Sequence, residues 1–282
     1  MYPVADYGLS GVAENAAQTT SAPSELSGVA LVTGGGRGVG AAIARDLAAA
    51  GMNVAVGARS DNEVREVARE IHGLPLNLDV RSEESVEAAV ARTESELGPI
   101  DLLVANAGIG PPHSTEPFGD LHDWWNVFEV NVLGVFLCDR AVTPSMVERG
   151  GGRIINITSG AAYQPAAAGQ STAYGPSKAA VHKFTETLAA RLAEKGIAVF
   201  SVSPGLVRTS LSRSLPDDTA WASAEYAQIL VRALASGEFD SLAGRFLHAV
   251  RDTPDSLRLR LGEILESDLN SIRLRSGAQV GP

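Results

Sequence analysis

The chain has 282 residues, 45% of them apolar and 20% charged, too apolar for a disordered chain and long enough for one large α/β domain or two small ones. Its 23 basic and 33 acidic residues give a formal charge of -10, the wrong sign for a partner built on a phosphate backbone, so no nucleic acid is expected. No apolar run approaches the roughly 20 residues of a spanning helix, so no membrane is expected either. The single cysteine, Cys138, excludes an intramolecular disulfide and a Cys-based zinc cluster, and suits a reducing, cytoplasmic location.

Residues 1–27 carry no lysine or arginine, unlike a secretory or transit signal, and their Ala, Ser, Thr and Gly content without periodicity predicts a flexible N-terminal arm. From residue 29 onward, short apolar runs alternate with amphipathic stretches. The runs 29–32, 54–56, 76–78, 102–104, 154–157, 197–200 and 246–250 predict seven strands. Helices are predicted over 41–50, 62–72, 83–97, 121–149, 173–195 and 223–235; Val86, Ala89, Val90 and Leu97 illustrate the spacing. With right-handed crossovers this alternation gives an α/β fold, a doubly wound parallel sheet of about seven strands with helices on both faces, in a single domain. Pro144 predicts a kink or restart within 121–149. After Val250, Leu257, Leu259 and Leu261 alternate as in a strand, whereas Leu261, Ile264, Leu265, Leu269 and Ile272 are spaced as in a helix. Both structures remain open, and the tail 251–282 needs a packing surface on this chain or a partner subunit.

Thr33-Gly34-Gly35-Gly36-Arg37-Gly38-Val39-Gly40 follows the first strand and opens a helix. Glycines there allow a tight turn and let backbone N–H groups approach a pyrophosphate at the positive end of the helix. Further along, Asn106-Ala107-Gly108 ends the fourth strand, and Asn131 lies in the next helix. Ser159 follows the fifth strand, Tyr174 and Lys178 form YxxxK, and Pro204-Gly205 with Thr209 follows the sixth. From Val29 to Val250 these ordered motifs resemble the short-chain dehydrogenase/reductase family, in the subgroup with TGxxxGxG and YxxxK. The resemblance implies a Rossmann-type fold, with 28–250 as the dinucleotide-binding catalytic domain. It implies that Asn131, Ser159, Tyr174 and Lys178 are catalytic. Cofactor contacts are then expected from Gly34, Gly36, Arg37, Gly38, Val39 and Gly40 in the turn, and from Arg59 and Ser60 after the second strand. Asp79 and Val80, Asn106 to Gly108, Tyr174, Lys178, Pro204, Gly205, Val207 and Thr209 complete that set, Asp79 contacting the adenine amino group.

Tyr174 and Lys178 stand four apart, so on a helix they share a face, and a nearby ammonium is expected to lower the phenol pKa from about 10. Tyr174 then serves as general acid/base. By the resemblance Ser159 hydrogen-bonds the substrate oxygen, and Asn131 holds a water that links Lys178 to solvent. An acid at the end of the second strand would accept from the ribose of NAD and repel a 2′-phosphate. Ala58 stands there instead, followed by Arg59, and Arg37 adds a second cation, which favours NADP(H) over NAD(H). Candidate substrate residues are Ser159, Tyr163 and Gln164 in the loop before Tyr174, His113 in the loop after the fourth strand, and Leu211 and Trp221 in a lid over 210–222. No HExxH pattern occurs, and no metal is expected. The expected function is an NADP(H)-dependent ketone or aldehyde reductase, reversible to alcohol oxidation, acting on a small uncharged molecule. Alternatives are an NAD(P)-binding sensor or scaffold without turnover, or an epimerase or dehydratase on the same fold. Helices 121–149 and 173–195 are, by the resemblance, where two subunits pair into a homodimer or homotetramer.

Overall fold

The computed structural model describes residues 25–110, 118–165, 171–212 and 219–274. Seven strands, β1 (Val29–Thr33), β2 (Asn53–Ala58), β3 (Leu74–Asn77), β4 (Ile100–Ala105), β5 (Gly152–Ile157), β6 (Ile197–Ser203) and β7 (Phe246–His248), form one sheet in the order β3-β2-β1-β4-β5-β6-β7. Every neighbouring pair is parallel. A strand buried on both faces reads as a continuous apolar run, and its alternate residues feed two cores. Ala30, Val32, Val54 and Val56 face one core, and Val29, Leu31 and Ala55 face the other.

The first core is covered by α1 (Gly38–Ala49), α2 (Asp61–Ile71), α7 (Glu225–Ala235) and α8 (Pro254–Glu266); the second by α3 (Glu83–Leu97), α5 (Gly134–Arg149) and α6 (Tyr174–Leu192). The architecture is the expected doubly wound sheet. Strand order reverses between β1 and β4, so a crevice opens at the carboxyl ends of these strands, where ligands of such sheets bind.

Three expectations are sharpened. The predicted 121–149 helix does not restart at Pro144: α5 continues through it to Arg149. Its irregularity lies upstream, where α4 (Leu121–Phe128) passes into a π-turn at Glu129–Leu133 that carries Asn131 inward, the kind of bulge found at functional sites. By length and composition alone the run Leu121–Arg149 is apolar enough to cross a membrane, but half of its most apolar stretch is buried inside this fold, as in a core helix. Finally, the tail forms helix α8, started by Thr253, whose side chain accepts from the Ser256 amide, and by Pro254 in the first turn. Leu257 and Ile264, two turns apart, are buried in this chain's own core rather than on a partner. Beyond it, the Asn270 carbonyl accepts from the Phe246 amide at 2.7 Å and so covers part of the exposed edge of β7. The residues 1–24 of the expected arm lie outside the described residues, as do 275–282.

Candidate active site

The glycine turn is built around Asn106. Its Nδ2 donates to the carbonyls of Thr33 and Gly34 at 2.9 and 3.1 Å, while Thr33 Oγ1 accepts from the amides of Asn106 and Ala107, each at 3.1 Å. The turn after β1 and the end of β4 are thereby tied together. Gly34 has φ +63°, a left-handed conformation that glycine adopts without strain. At Gly40 the reason is space: a Cβ would stand 2.4 Å from both Asn106 Nδ2 and the Gly34 carbonyl oxygen. The amides of this turn consequently open onto a cavity of about 1150 Å³. That exceeds the roughly 300–1,000 Å³ usual for one small ligand, so a dinucleotide and a substrate fit together.

On the β2 and β3 side the cavity is walled by Arg37, Arg59, Ser60, Asp79 and Val80. Arg37 Nη1 lies 3.3 Å from Glu63 Oε1, and the backbone carbonyl of Arg59 accepts from Asn77. Asp79 receives both the amide and the guanidinium of Arg81, which holds its carboxyl below the usual carboxylate range. Arg81 also donates to Asn126 Oδ1 and so braces α4 against this wall. Along the far rim run Pro204, Gly205, Val207 and Thr209, with the Thr209 methyl facing Gly38.

On the β5 side Ser159, Tyr174 and Lys178 meet at the same cavity. The Ser159 hydroxyl faces the Tyr174 phenol closely enough to favour its anion. Lys178 is buried, and its Nζ donates to the Ile157 carbonyl at 3.0 Å and lies 5.9 Å from the centre of the Tyr174 ring. The expected lowering of the phenol pKa is absent: burial raises Tyr174, and the nearby Ser159 hydroxyl offsets this only in part. The same burial pushes Lys178 down to about 8. In both groups burial disfavours the charged form, although Lys178 still carries its proton below about pH 8. Asn131 reaches the site through backbone. Its Oδ1 accepts from the Ile109 amide at 2.9 Å, and its Nδ2 donates to the Ile109 carbonyl and to Ser177 Oγ, both at 3.0 Å. A Cβ on Gly108 would lie 3.3 Å from both Asn131 Oδ1 and Lys178 Nζ. Asn131 therefore holds the segment after β4 against the lysine.

Three of the proposed substrate residues stand elsewhere. Tyr163 turns its ring edge-to-face onto Phe246 of β7 at 4.9 Å, Gln164 packs beside Gly160, and Trp221 lies under the Arg208 guanidinium, 5.4 Å from its ring centre. None of them lines the cavity, whereas Leu211 does, beside Gly110. His113 lies outside the described residues. The structure places Thr33, the first residue of the TGxxxGxG motif, under the turn, and adds groups the motifs did not name: Ser171, whose hydroxyl accepts from the amides of Ala173 and Tyr174 at 3.1 Å, Trp124 on the cavity wall, and Glu63. Ser171, three residues before Tyr174, had a visible signal, since such a hydroxyl commonly caps the start of a helix. Burial also raises the Cys138 thiol, consistent with a packing role.

A Ser-Tyr-Lys cluster facing a phosphate-binding turn across the switch point of a doubly wound sheet defines a dinucleotide-dependent enzyme class. The family model described as short chain dehydrogenase matches residues 28–220. The chain is 41% identical over 196 residues to a short chain dehydrogenase of Pseudocercospora fijiensis, a match covering 67% of this chain and 62% of that protein, less than two thirds of its length. It is 35% identical over 192 residues to the 3-oxoacyl-acyl-carrier-protein reductase FabG of Escherichia coli, covering 67% of this chain and 78% of that one. Among solved structures, a gluconate 5-dehydrogenase from Burkholderia cenocepacia in complex with NADP and tartrate superposes with a TM-score of 0.74 and 31% identity, covering 80% of this chain and 95% of the other. The chain belongs to the short-chain dehydrogenase/reductase family of oxidoreductases, whose members bind NAD(P) and act on small molecules.

Proposed function

We propose that the chain is an NADP(H)-preferring carbonyl reductase or alcohol dehydrogenase, working mainly as a reductase in the cytoplasm, with residues 28–250 as its catalytic domain. The observation that carries this reading is the meeting of Ser159, Tyr174 and Lys178 in one cavity with Arg37, Arg59 and the glycine turn. A nicotinamide dinucleotide, when bound there, supplies or accepts hydride. Tyr174, neutral in its buried setting, donates its proton to the substrate oxygen, and Ser159 hydrogen-bonds that oxygen as charge develops. The Lys178 ammonium then stabilises the phenolate left behind. Asn131 keeps the Ile109 backbone in place beside it. The NADP named with the Burkholderia structure supports the cofactor choice, and the reductase named in Escherichia coli supports the direction. Ile109, Ala161, Leu206 and Leu211 on the cavity wall favour an uncharged, moderately apolar carbonyl.

The test is oxidation of NADPH against a chemically broad carbonyl panel, with NADH in parallel. At least one ketone or aldehyde is expected to drive turnover with the lower KM for NADPH; equal or better use of NADH removes the cofactor preference. We further propose a homodimer or homotetramer paired through α4, α5 and α6. Leu121, Trp125, Leu133 and Phe136 are exposed along α4, the π-turn and α5, an apolar surface suited to a second copy. Sedimentation at micromolar concentration is expected to give a multiple of the 29.3 kDa chain mass, and a single-chain species alone would refute the pairing.

A further inference from the structure

Cofactor choice in this fold is usually sought in the last residues of β2, where Ala58 leaves no acid. The structure brings an acid to the same wall from another element. Glu63, in the first turn of α2, lines the cavity with Arg37 and Arg59, and its Oε1 accepts from Arg37 Nη1 at 3.3 Å. Its position is set by the glycine turn: a Cβ on Gly36 would stand 2.9 Å from Glu63 Cβ and 3.4 Å from its carbonyl carbon. This fixes the Cβ of Glu63 beside the turn, so its carboxylate stays within side-chain reach of this wall unless α2 moves off the turn.

We propose that Glu63 is a cofactor-discriminating residue, which accepts hydrogen bonds from a free adenosine ribose diol and opposes a 2′-phosphate. The proposal rests on the NADP(H) reading and refines it. The ion pair itself is weak, because the side chains of Arg37 and Glu63 are 67% and 35% exposed. A phosphate dianion, with several acceptor oxygens, draws Arg37 to itself. What it cannot remove is the carboxylate. Once Arg37 has turned to the phosphate, Glu63 is left beside a like charge, so the discrimination lies in the repulsion that remains rather than in the pair that breaks. A ribose hydroxyl meets no such charge and finds an acceptor instead. Asp61 provides a control on the same turn of α2: it pairs with Arg65 at 2.5 Å and does not line the cavity.

The experiment titrates NADPH and NADH, by their fluorescence, into the full chain as wild type, Glu63→Gln and Asp61→Asn. Glu63→Gln is expected to tighten NADPH about tenfold at low salt, fading to about twofold near about 0.5 M salt, as one partly screened surface charge would. NADH binding weakens in the same variant, and Asp61→Asn changes neither. NADPH affinity unmoved by Glu63→Gln at low salt, or an equal gain from Asp61→Asn, overturns the proposal. The wild-type ratio of NADPH to NADH affinity tests the underlying preference separately. A ratio of one or less removes the NADP(H) reading, while the change in that ratio on Glu63→Gln still decides the role of Glu63.

Discussion

Tyr174→Phe is expected to lower kcat for carbonyl reduction by about 10²- to 10⁴-fold, the range for losing a positioned general acid, with NADPH affinity within about twofold of wild type. The ring volume is kept, so α6 has no cavity to fill, and the Ser159 hydroxyl beside the lost phenol lines an open cavity able to supply water. The effect is therefore confined to proton transfer. Near-wild-type turnover in this variant would move the proton donor to another group. The pH profile gives a second reading of the same chemistry. Burial puts Lys178 at about 8, below its ordinary value, so the ammonium that stabilises the phenolate is lost as pH rises through that value. Reduction by the wild type should accordingly fall above about pH 8, because Tyr174 must become anionic as it gives up its proton. A rate that stays flat well into the alkaline range would separate Lys178 from the step.

What the sequence revealed was the chemistry that is local in the chain. The glycine turn, the YxxxK pair and Ser159 after β5 are defined by neighbours a few residues away, and each lies on the cavity. The sheet was legible because strands buried on both faces, such as β1 and β6, are apolar throughout. Long-range pairings were not legible. Arg37 and Glu63 are 26 residues apart, and Arg81 reaches Asn126 across 45, with no spacing rule to join them. Helical periodicity over 121–149 concealed the π-turn, because the demand that creates it comes from Ile109, to which Asn131 is bonded on both its amide atoms. Spacing put Tyr174 and Lys178 on one face but carried no measure of their desolvation, and desolvation decides the sign of the phenol shift. Tyr163 and Trp221 look like pocket residues because they are aromatic and close to the motifs. Phe246 and the Arg208 guanidinium, distant in the chain or folded back, claim their rings instead.

Replacing Asp139 by Asn is expected to stabilise the fold, increasingly so as the medium becomes less acidic. Asp139 projects from α5 into the core behind β5, where it is 1% exposed. Asn156 Nδ2 donates to its Oδ2 at 2.9 Å and also to Thr185 Oγ1 at 3.0 Å, while Asp139 Oδ1 and Asn156 Oδ1 have no partner. One amide donor is too little to hold a carboxylate away from water, and burial pushes Asp139 up to about 8. Its unfolded value is near 3.9, so between about pH 4 and about pH 8 the folded chain binds the extra proton. Stability is then fully present below the unfolded value and is lost as pH rises, by about 1.4 kcal/mol per unit, until the folded group titrates. Asp139→Asn removes this slope, and the new amide can donate to the Asn156 oxygen that lacks a partner. Urea unfolding at fixed protein concentration, between about pH 5 and about pH 8, should show the wild-type midpoint falling relative to that of the variant as pH rises. The gap should reach several kcal/mol at the upper end. Parallel curves for the two proteins would mean that Asp139 is ionised in the fold, with a partner other than Asn156 neutralising it.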